Sequence, residues 1–347
     1  MPSGKVTVQD LANALNLSRN TVSKVLNGTG HTTEKTRKAI LSKAMELNYK
    51  QIGRVSNLQS GAPTKCITML ARSMPNKNYF GAQLFTGLER AMHRLGYSLP
   101  MYILHDEELQ TVTLPVSVNL DLVDAFICTE LFDERYARML CGTGKPVIFA
   151  DTYADAFREP FPADLLLMEN THSMYALVSK LAESGLRRMA FVGDRAHCLS
   201  FRERWEGFAR ALADHGFSPM EKCCVLEPDG SGYHDPDAIA LKLRSMPELP
   251  DAFVCANDFI AIDLMRVLKA MGMRIPQDVA VTGFDDAPEC EIVEPKLTTI
   301  HTSSHEMGLL AAQMLLDRIQ SPNLIHHITY VPTRPVFRAS TPVVSSK

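Results

Sequence analysis

Arg19, Asn20 and Lys24, with Ser18 and Thr21 beside them, fall within the segment SRNTVSKVLNG that runs from Ser18 to Gly28. Guanidinium and ammonium groups suit the acceptor edge of guanine, a carboxamide suits adenine and small hydroxyls suit phosphate. The set is therefore the chemistry of a helix laid in a DNA major groove. A second set lies far downstream, at the ends of apolar runs. Asp151 closes PVIFAD, Asn257 and Asp258 close DAFVCAND, and Asp285 and Asp286 close VAVTGFDD, with Arg204 a candidate partner. Carboxylates and a carboxamide gathered in this way offer fixed acceptors and donors to a neutral polyhydroxylated ligand. Taken singly, each also reads as a loop residue, and Asp258 and Asp286 in particular read as helix caps.

The first set needs a helix with a buried back. Thr7 and Asp10 have capping-box spacing, and Leu11, Ala12 and Leu15 follow as an apolar stripe. Asn16 and Leu17 leave room for a turn, Ser18 is an N-cap, and Val22, Val25 and Leu26 recur at helical spacing until Gly28. Thr32 and Thr33 can cap a third helix whose apolar face is Ala39, Ile40, Ala44 and Leu47, with Lys35, Arg37, Lys38 and Lys43 mostly elsewhere. Three helices of this length can close a small all-α core. The same signals fit a generic three-helix unit with a solvated basic face, and charge tips the balance. Residues 1–60 hold nine Lys and Arg against three acids, whereas the whole chain carries a formal net charge of -3. A basic head on an acidic body is the asymmetry of a phosphate-binding module joined to something else.

The second set needs strands. After the linker KQIGRVSNLQSGAPTK the chain alternates apolar runs with amphipathic stretches: CITML, a helix from Phe80 to Leu95, SLPMYIL, VDAFICT, a helix over 133–140, and PVIFAD. RMAFVGD, a helix over 202–215, CCVLEP, a helix over 237–246, DAFVCAND, a helix over 259–271 and VAVTGFDD complete the series. Repeated strand and helix units imply α/β architecture with parallel sheets, and the length suits two lobes of five or six strands each. Ligands of such folds sit at the carboxyl ends of the strands.

Other chemistries find little support. No phosphate loop, nucleophile elbow or metal-spaced His cluster occurs, and His326 and His327 read as surface residues of a late strand, so neither catalysis, a cofactor nor a metal is expected. The eight cysteines are scattered and read as reduced thiols. No window has the apolar length of a membrane span and the N-terminus lacks an apolar signal core, so a cytoplasmic protein without a membrane partner is expected.

The head resembles the lactose and galactose repressor family of bacterial transcription regulators at Val6, Asp10, Ala12, Ser18, Thr21, Val22, Ser23, Leu26, Asn27, Thr36, Arg37, Leu47 and Tyr49. The resemblance continues at Asn78 to Phe80, Gly87, Gly96, Tyr97, Asn170, Gly207, Phe208, Asn257, Asp258, Pro276, Asp278, the GFDD of 283–286 and the LTTI of 297–300. It implies a helix-turn-helix head over 1–49, a hinge over 50–63, and a bilobed periplasmic-binding-protein-like body over 64–343. Within the body it implies an N-lobe of about 64–168 with 303–328 and a C-lobe of about 169–302 with 329–343.

By the same resemblance Ser18, Arg19, Asn20, Thr21 and Lys24 belong to the recognition helix, with Arg19 and Asn20 the base readers. Thr7, Asn27 and His31 anchor on the DNA backbone, and Leu58 wedges into the minor groove between half-sites. Phe80, Asp151, Arg204, Asn257 and Asp285 match positions lining an effector cleft. The partners implied are a palindromic double-stranded operator, a second copy of the chain and a small effector, expected to be a sugar or sugar derivative. Control by a protein co-regulator or a non-sugar metabolite is the runner-up, and a solute-binding protein of a transporter is a further alternative that leaves the basic head unexplained.

Departures are specific. Gln51 stands where the family carries Pro and Gly53 where a basic residue is common, implying a hinge helix that forms only on DNA. Leu186 stands where a His is usual, and the loop over 229–233 lacks the usual aromatic ahead of its SGY, so that one wall of the cleft is missing or supplied otherwise. The tail after Thr341 is short for a tetramerising coiled coil, which favours a dimer.

Overall fold

The structure, a computed structural model, describes residues 6–26, 32–47, 49, 64–74, 79–226 and 235–342. The chain divides into two compact units, Met1–Ile67 with Val116–Asp124 and Thr68–Pro115 with Ala125–Lys347.

In the first unit, α1 (Val8–Leu15), α2 (Arg19–Leu26) and α3 (Glu34–Glu46) pack on one another. The capping box expected from Thr7 and Asp10 is formed: the Thr7 amide donates to Asp10 Oδ2 at 2.8 Å and the Asp10 amide to Thr7 Oγ1 at 3.3 Å. The amide and hydroxyl of Thr7 hold the Asp10 carboxyl below its ordinary pKa. Asn16 ends α1 in the left-handed conformation, φ 52°, which Asn tolerates, so the chain turns within two residues into the Ser18 cap of α2. Leu11, Ala12, Val22, Val25, Leu26, Ile40 and Ala44 form the core, with Val6, Leu15, Leu17, Leu47 and Tyr49 around it. Ala39, expected on the apolar face of α3, is instead exposed: the helix buries Ile40 and Ala44, four residues apart, and Ala39 falls beside that stripe.

The second unit carries the parallel sheets. One sheet has the order β10-β5-β4-β3-β1-β2, built from β1 (Ile67–Ala71), β2 (Met101–Ile103), β3 (Ala125–Thr129), β4 (Val147–Ala150), β5 (Asp164–Met168) and β10 (Ile328–Val331). The pairs β1/β2, β3/β4, β4/β5 and β5/β10 are parallel. The other sheet has the order β6-β7-β8 (Met189–Val192, Ala252–Cys255, Ala280–Thr282), also parallel. Beside it lies the antiparallel pair of β9 (Thr299–His301) and β11 (Arg334–Val336). Interior strands are buried at every residue, as sheets covered on both faces require.

The helices are α4 (Tyr79–Arg94), α5 (Asp106–Thr111), α6 (Glu134–Cys141), α7 (Thr171–Glu183), α8 (Leu199–Asp214), α9 (Pro236–Ser245), α10 (Asp258–Ala270) and α11 (Ser304–Gln320). The helices α4 and α11 pack at glycines, since a Cβ on Gly308 would stand 2.1 Å from the Leu84 carbonyl and one on Gly87 2.1 Å from the His305 carbonyl.

Three expectations need correction. Among the described residues the second sheet has three regular strands, not five or six, because its outer positions are held by isolated bridges, Val192 with Val225 and Thr282 with Thr298. For the same reason the described start of CCVLEP, 223–226, is no regular strand; it opens in a 3-10 turn over Glu221–Cys223. The expected lobe boundary at 328 falls inside β10, which pairs with β5 from Ile328 through Val331, and the chain leaves that sheet only at 332–333. The strand β5 and the helices α7 and α11 carry apolar runs that sequence inspection passed over. His326 and His327 are exposed as expected, in the loop before β10 and not in the strand.

Candidate nucleic-acid interface and ligand cavity

On α2 the buried residues face the head core and leave Arg19, Asn20 and Lys24 exposed. None of these three side chains is engaged by another described residue in a hydrogen bond or ion pair. They are therefore available to base edges or phosphates. Ser18 and Thr21 are committed differently. Ser18 Oγ accepts the Thr21 amide at 3.0 Å and shares a hydrogen bond of 2.7 Å with Thr21 Oγ1, so the two hydroxyls hold the helix start in shape. Thr7 is occupied in the capping box of α1. Asn27, His31 and Leu58 lie outside the described residues, as do the hinge positions Gln51 and Gly53.

The second site is a cavity of about 820 Å³ in the larger unit, where the carboxyl ends of both sheets converge. All five expected residues, Phe80, Asp151, Arg204, Asn257 and Asp285, line it. Phe80 comes from the first turn of α4, Asp151 from the end of β4, and Arg204 from the second turn of α8. Asn257 caps α10, its Oδ1 accepting the Ile260 amide at 2.9 Å. Asp285 follows β8.

Arg204 organises this floor. It is buried, and it donates through Nε to Asn170 Oδ1 at 2.9 Å and through Nη1 to the Ala256 carbonyl at 2.6 Å. Its Nη2 reaches Met168 Sδ at 2.9 Å and stands 3.6 Å from Asp285 Oδ1, while the guanidinium lies 3.6 Å from the centre of the Phe284 ring. Asn170 donates in turn to Glu203 Oε2 at 2.7 Å, and Tyr330 on β10 donates to Glu203 Oε1 at 2.5 Å. A chain of contacts thus runs from the edge strand of one sheet to the ends of the other. Burial pushes the Glu203 carboxyl up, against the lowering effect of its bonds from Tyr330 and Asn170.

The carboxylates are held just as firmly. Asp151 Oδ2 accepts Ser200 Oγ at 2.6 Å and its Oδ1 accepts the Ser200 amide at 3.3 Å. Burial raises the Asp285 carboxyl to about 6, with Arg204 working against the rise and Asp151 adding to it. Asp151 (φ 72°), Glu130 (φ 56°) and Asp285 (φ 114°) all line the cavity with left-handed backbone, a cost that non-glycine residues bear mostly at sites of function.

Two strand-end carboxylates do something else. Asp258 is fully buried away from the cavity; it accepts the Ala287 amide at 2.9 Å and Thr299 Oγ1 at 2.5 Å, and burial followed by Asp285 raises it to about 7. Gly283 of the GFDD segment makes room for it, since a Cβ there would stand 2.1 Å from Asp258 Oδ1. Asp286 turns to Arg338 at 2.7 Å and His301 at 2.8 Å.

Ser200, His197, Phe132, Phe201 and Phe259 line the cavity without having been singled out from sequence. His197 packs against Phe132 with ring centres 4.8 Å apart and against Phe201 at 5.4 Å. Their only sequence signal is position: Phe132 follows the VDAFICT run, and 197–201 follow RMAFVGD at the start of α8. The helix there begins at Leu199, three residues earlier than expected, which is what brings Ser200 and Phe201 to the cavity. The loop over 229–233 lies outside the described residues. Among the described residues no group of three His, Cys, Asp or Glu is placed to hold a metal ion, and no helix is long and apolar enough to cross a membrane.

A three-helix head with a free polar face on its second helix, followed by an α/β body with a cavity at its strand ends, defines a ligand-responsive DNA-binding regulator. Comparison with known proteins carries this further. Residues 7–51 match the family described as bacterial regulatory proteins, lacI family, and residues 178–341 match a periplasmic binding protein-like domain. The transcriptional repressor PurR of Vibrio parahaemolyticus is 27% identical over 320 residues, covering 90% of this chain and 92% of that protein. The lac repressor dimer bound to operator and an anti-inducer has the same fold, with a TM-score of 0.71 at 23% identity, over 97% of this chain and 99% of that one. A LacI-family regulator from Enterococcus faecium, solved with bound ribose, is 26% identical over 80% of this chain and 98% of its own, with a TM-score of 0.64. The chain belongs to the LacI/GalR family of bacterial transcription regulators. It is a DNA-binding repressor regulated by a small-molecule effector.

Proposed function

We propose that the head reads one half of a palindromic operator with Arg19 and Asn20 as base readers, Lys24, Ser18, Thr21 and Thr7 toward phosphates, Asn27 and His31 anchoring the backbone and Leu58 wedged in the minor groove. A second copy of the chain supplies the other half-site, and the protein works in the cytoplasm by binding, without catalysis. The head spans 1–49, the hinge 50–63 and the body 64–343, with the lobes exchanging chain near 168, 302 and 331. The effector sits in the cavity, where Phe80 packs on one of its faces and Asp151, Asn257, Asp285 and Arg204 meet its polar groups. Its arrival shifts lobe closure and with it the spacing of the two heads.

One observation carries this reading: an aromatic ring and polar groups fixed by other side chains converge on one cavity of ligand size. Acceptors in this number suit a ring bearing several hydroxyls, a sugar. A flat nitrogen heterocycle such as a purine base is the second reading, favoured by the four phenylalanines Phe80, Phe132, Phe201 and Phe259 along the walls. Selection of bound sequences from random DNA, repeated with free sugars and purine bases, tests both. The expected result is a palindromic site whose retention changes with one compound, with that response lost in Asp285→Ala while operator binding persists. A variant that still responds fully removes the cavity from the reading.

A further inference from the structure

We infer that the cavity selects an effector rich in hydrogen-bond donors and bearing no phosphate or carboxylate, so that it distinguishes an uncharged or cationic ring from its phosphorylated form. The inference rests on the cavity being the effector site and concerns what that site rejects.

Five carboxylates line the cavity: Glu130, Asp133, Asp151, Asp263 and Asp285. Two guanidiniums line it among the described residues, and each already faces a carboxylate and donates to a backbone carbonyl. Arg204 donates to Asn170 and the Ala256 carbonyl and has its charge met by Asp285 and the Phe284 face. Arg72 donates to the Leu104 carbonyl at 2.7 Å and to Asp106 at 2.8 Å. Asp133 and Asp263 do have cationic neighbours, Arg135 at 2.9 Å and Arg266 at 3.2 Å, but each of those side chains is 66% exposed and screened by water.

At three helix starts beside the cavity the other common means of holding an anion, the free amides, is already taken. Asp133 Oδ1 accepts the Tyr136 amide in the first turn of α6 at 3.0 Å. Asp151 accepts the Ser200 amide at the start of α8, and Asn257 Oδ1 accepts the Ile260 amide at the start of α10. At each of these three helix starts beside the cavity the chain's own oxygen stands where a phosphate oxygen would. An ionised carboxylate accepts and cannot donate, so what faces the ligand asks for hydroxyl, N–H or ammonium groups. A phosphate placed here loses its hydration and meets like charge.

The test is calorimetric titration of the full-length dimer with matched pairs: glucose and glucose 6-phosphate, ribose and ribose 5-phosphate, adenosine and adenosine 5′-monophosphate, with glucosamine as a cationic ring. The expected result is that the member that binds is unphosphorylated, by a margin of about tenfold or more over its ester, since one adverse charge interaction of moderate strength corresponds to that factor. Asp263→Asn narrows the margin. A phosphate ester that binds as tightly as its parent, with affinity lost in Phe80→Ala, overturns the inference and leaves the cavity as the site. Binding unmoved by Phe80→Ala, or no binding by any compound at millimolar concentration, overturns the cavity reading on which the inference stands.

Discussion

Replacing Arg204 by Met keeps the bulk of the side chain and removes the charge that joins the strand ends of the two sheets. The loss comprises hydrogen bonds from a charged donor to Asn170 and to the Ala256 carbonyl, worth roughly 1.5–3 kcal/mol each, and the contact with the Phe284 face, worth roughly 2 kcal/mol when desolvated. Its attraction to Asp285 across 3.6 Å is roughly 4 kcal/mol at an effective dielectric near 20. Against these stands the regained cost of burying a guanidinium, itself several kcal/mol, so the net expectation is a loss of about 3 kcal/mol at pH 8. The pair with Asp285 is ionic only above that residue's raised pKa of about 6. A double-mutant cycle with Asp285→Asn therefore shows a coupling of about 1–3 kcal/mol at pH 8 and close to none at pH 5. Urea unfolding followed by fluorescence of Trp205, the chain's single tryptophan, which packs on Phe191 and Phe208, reports on this region directly. A coupling that is the same at the two pH values, or below about 0.5 kcal/mol at pH 8, refutes the account of Arg204 as an ionic organiser of the cavity floor.

In the head, Arg19→Ala is expected to relax base preference at one symmetric pair of operator positions by about 1–3 kcal/mol, whereas Lys35→Ala lowers affinity on all sequences and reduces the slope of log K against log salt by about 1; selection from random DNA and a salt titration separate the two. Asp258 has a folded pKa of about 7, above its unfolded value, so its contribution to stability is present below pH 4 and is lost as pH rises through 7. Asp258→Asn, whose amide can serve the Ala287 amide and the Thr299 hydroxyl, is therefore expected to gain on the wild type between pH 5 and pH 8 by on the order of 2 kcal/mol in urea unfolding, and a gap independent of pH would show that Asp258 is ionised at no net cost. Gly308→Ala forces a methyl group against the Leu84 carbonyl of α4 and is expected to cost about 1–3 kcal/mol, read from the same unfolding transition.

Local signals carried most of the head. The spacing of Thr7 and Asp10, the Ser18 cap and the apolar stripe of α2 act within a few residues of one another, and each formed as the side-chain chemistry required. The exposure of Ala39 shows the limit, because an alanine suits either face of a helix and only the neighbouring helices decide which face is inward. In the body, the alternation of apolar runs with amphipathic stretches determined parallel α/β architecture and placed the polar strand ends where a ligand would find them.

What those polar residues do was settled by tertiary structure. Asp151, Asp258, Asp285 and Asp286 occupy equivalent-looking positions after apolar strands. Yet one is held by Ser200 at the cavity, one is sealed behind Gly283, one faces Arg204 and one turns to Arg338. Their partners come from distant parts of the chain, so no local pattern distinguishes them. The commitment of both cavity guanidiniums, and with it the acidic character of the site toward a ligand, likewise follows from contacts between residues that sequence spacing leaves far apart.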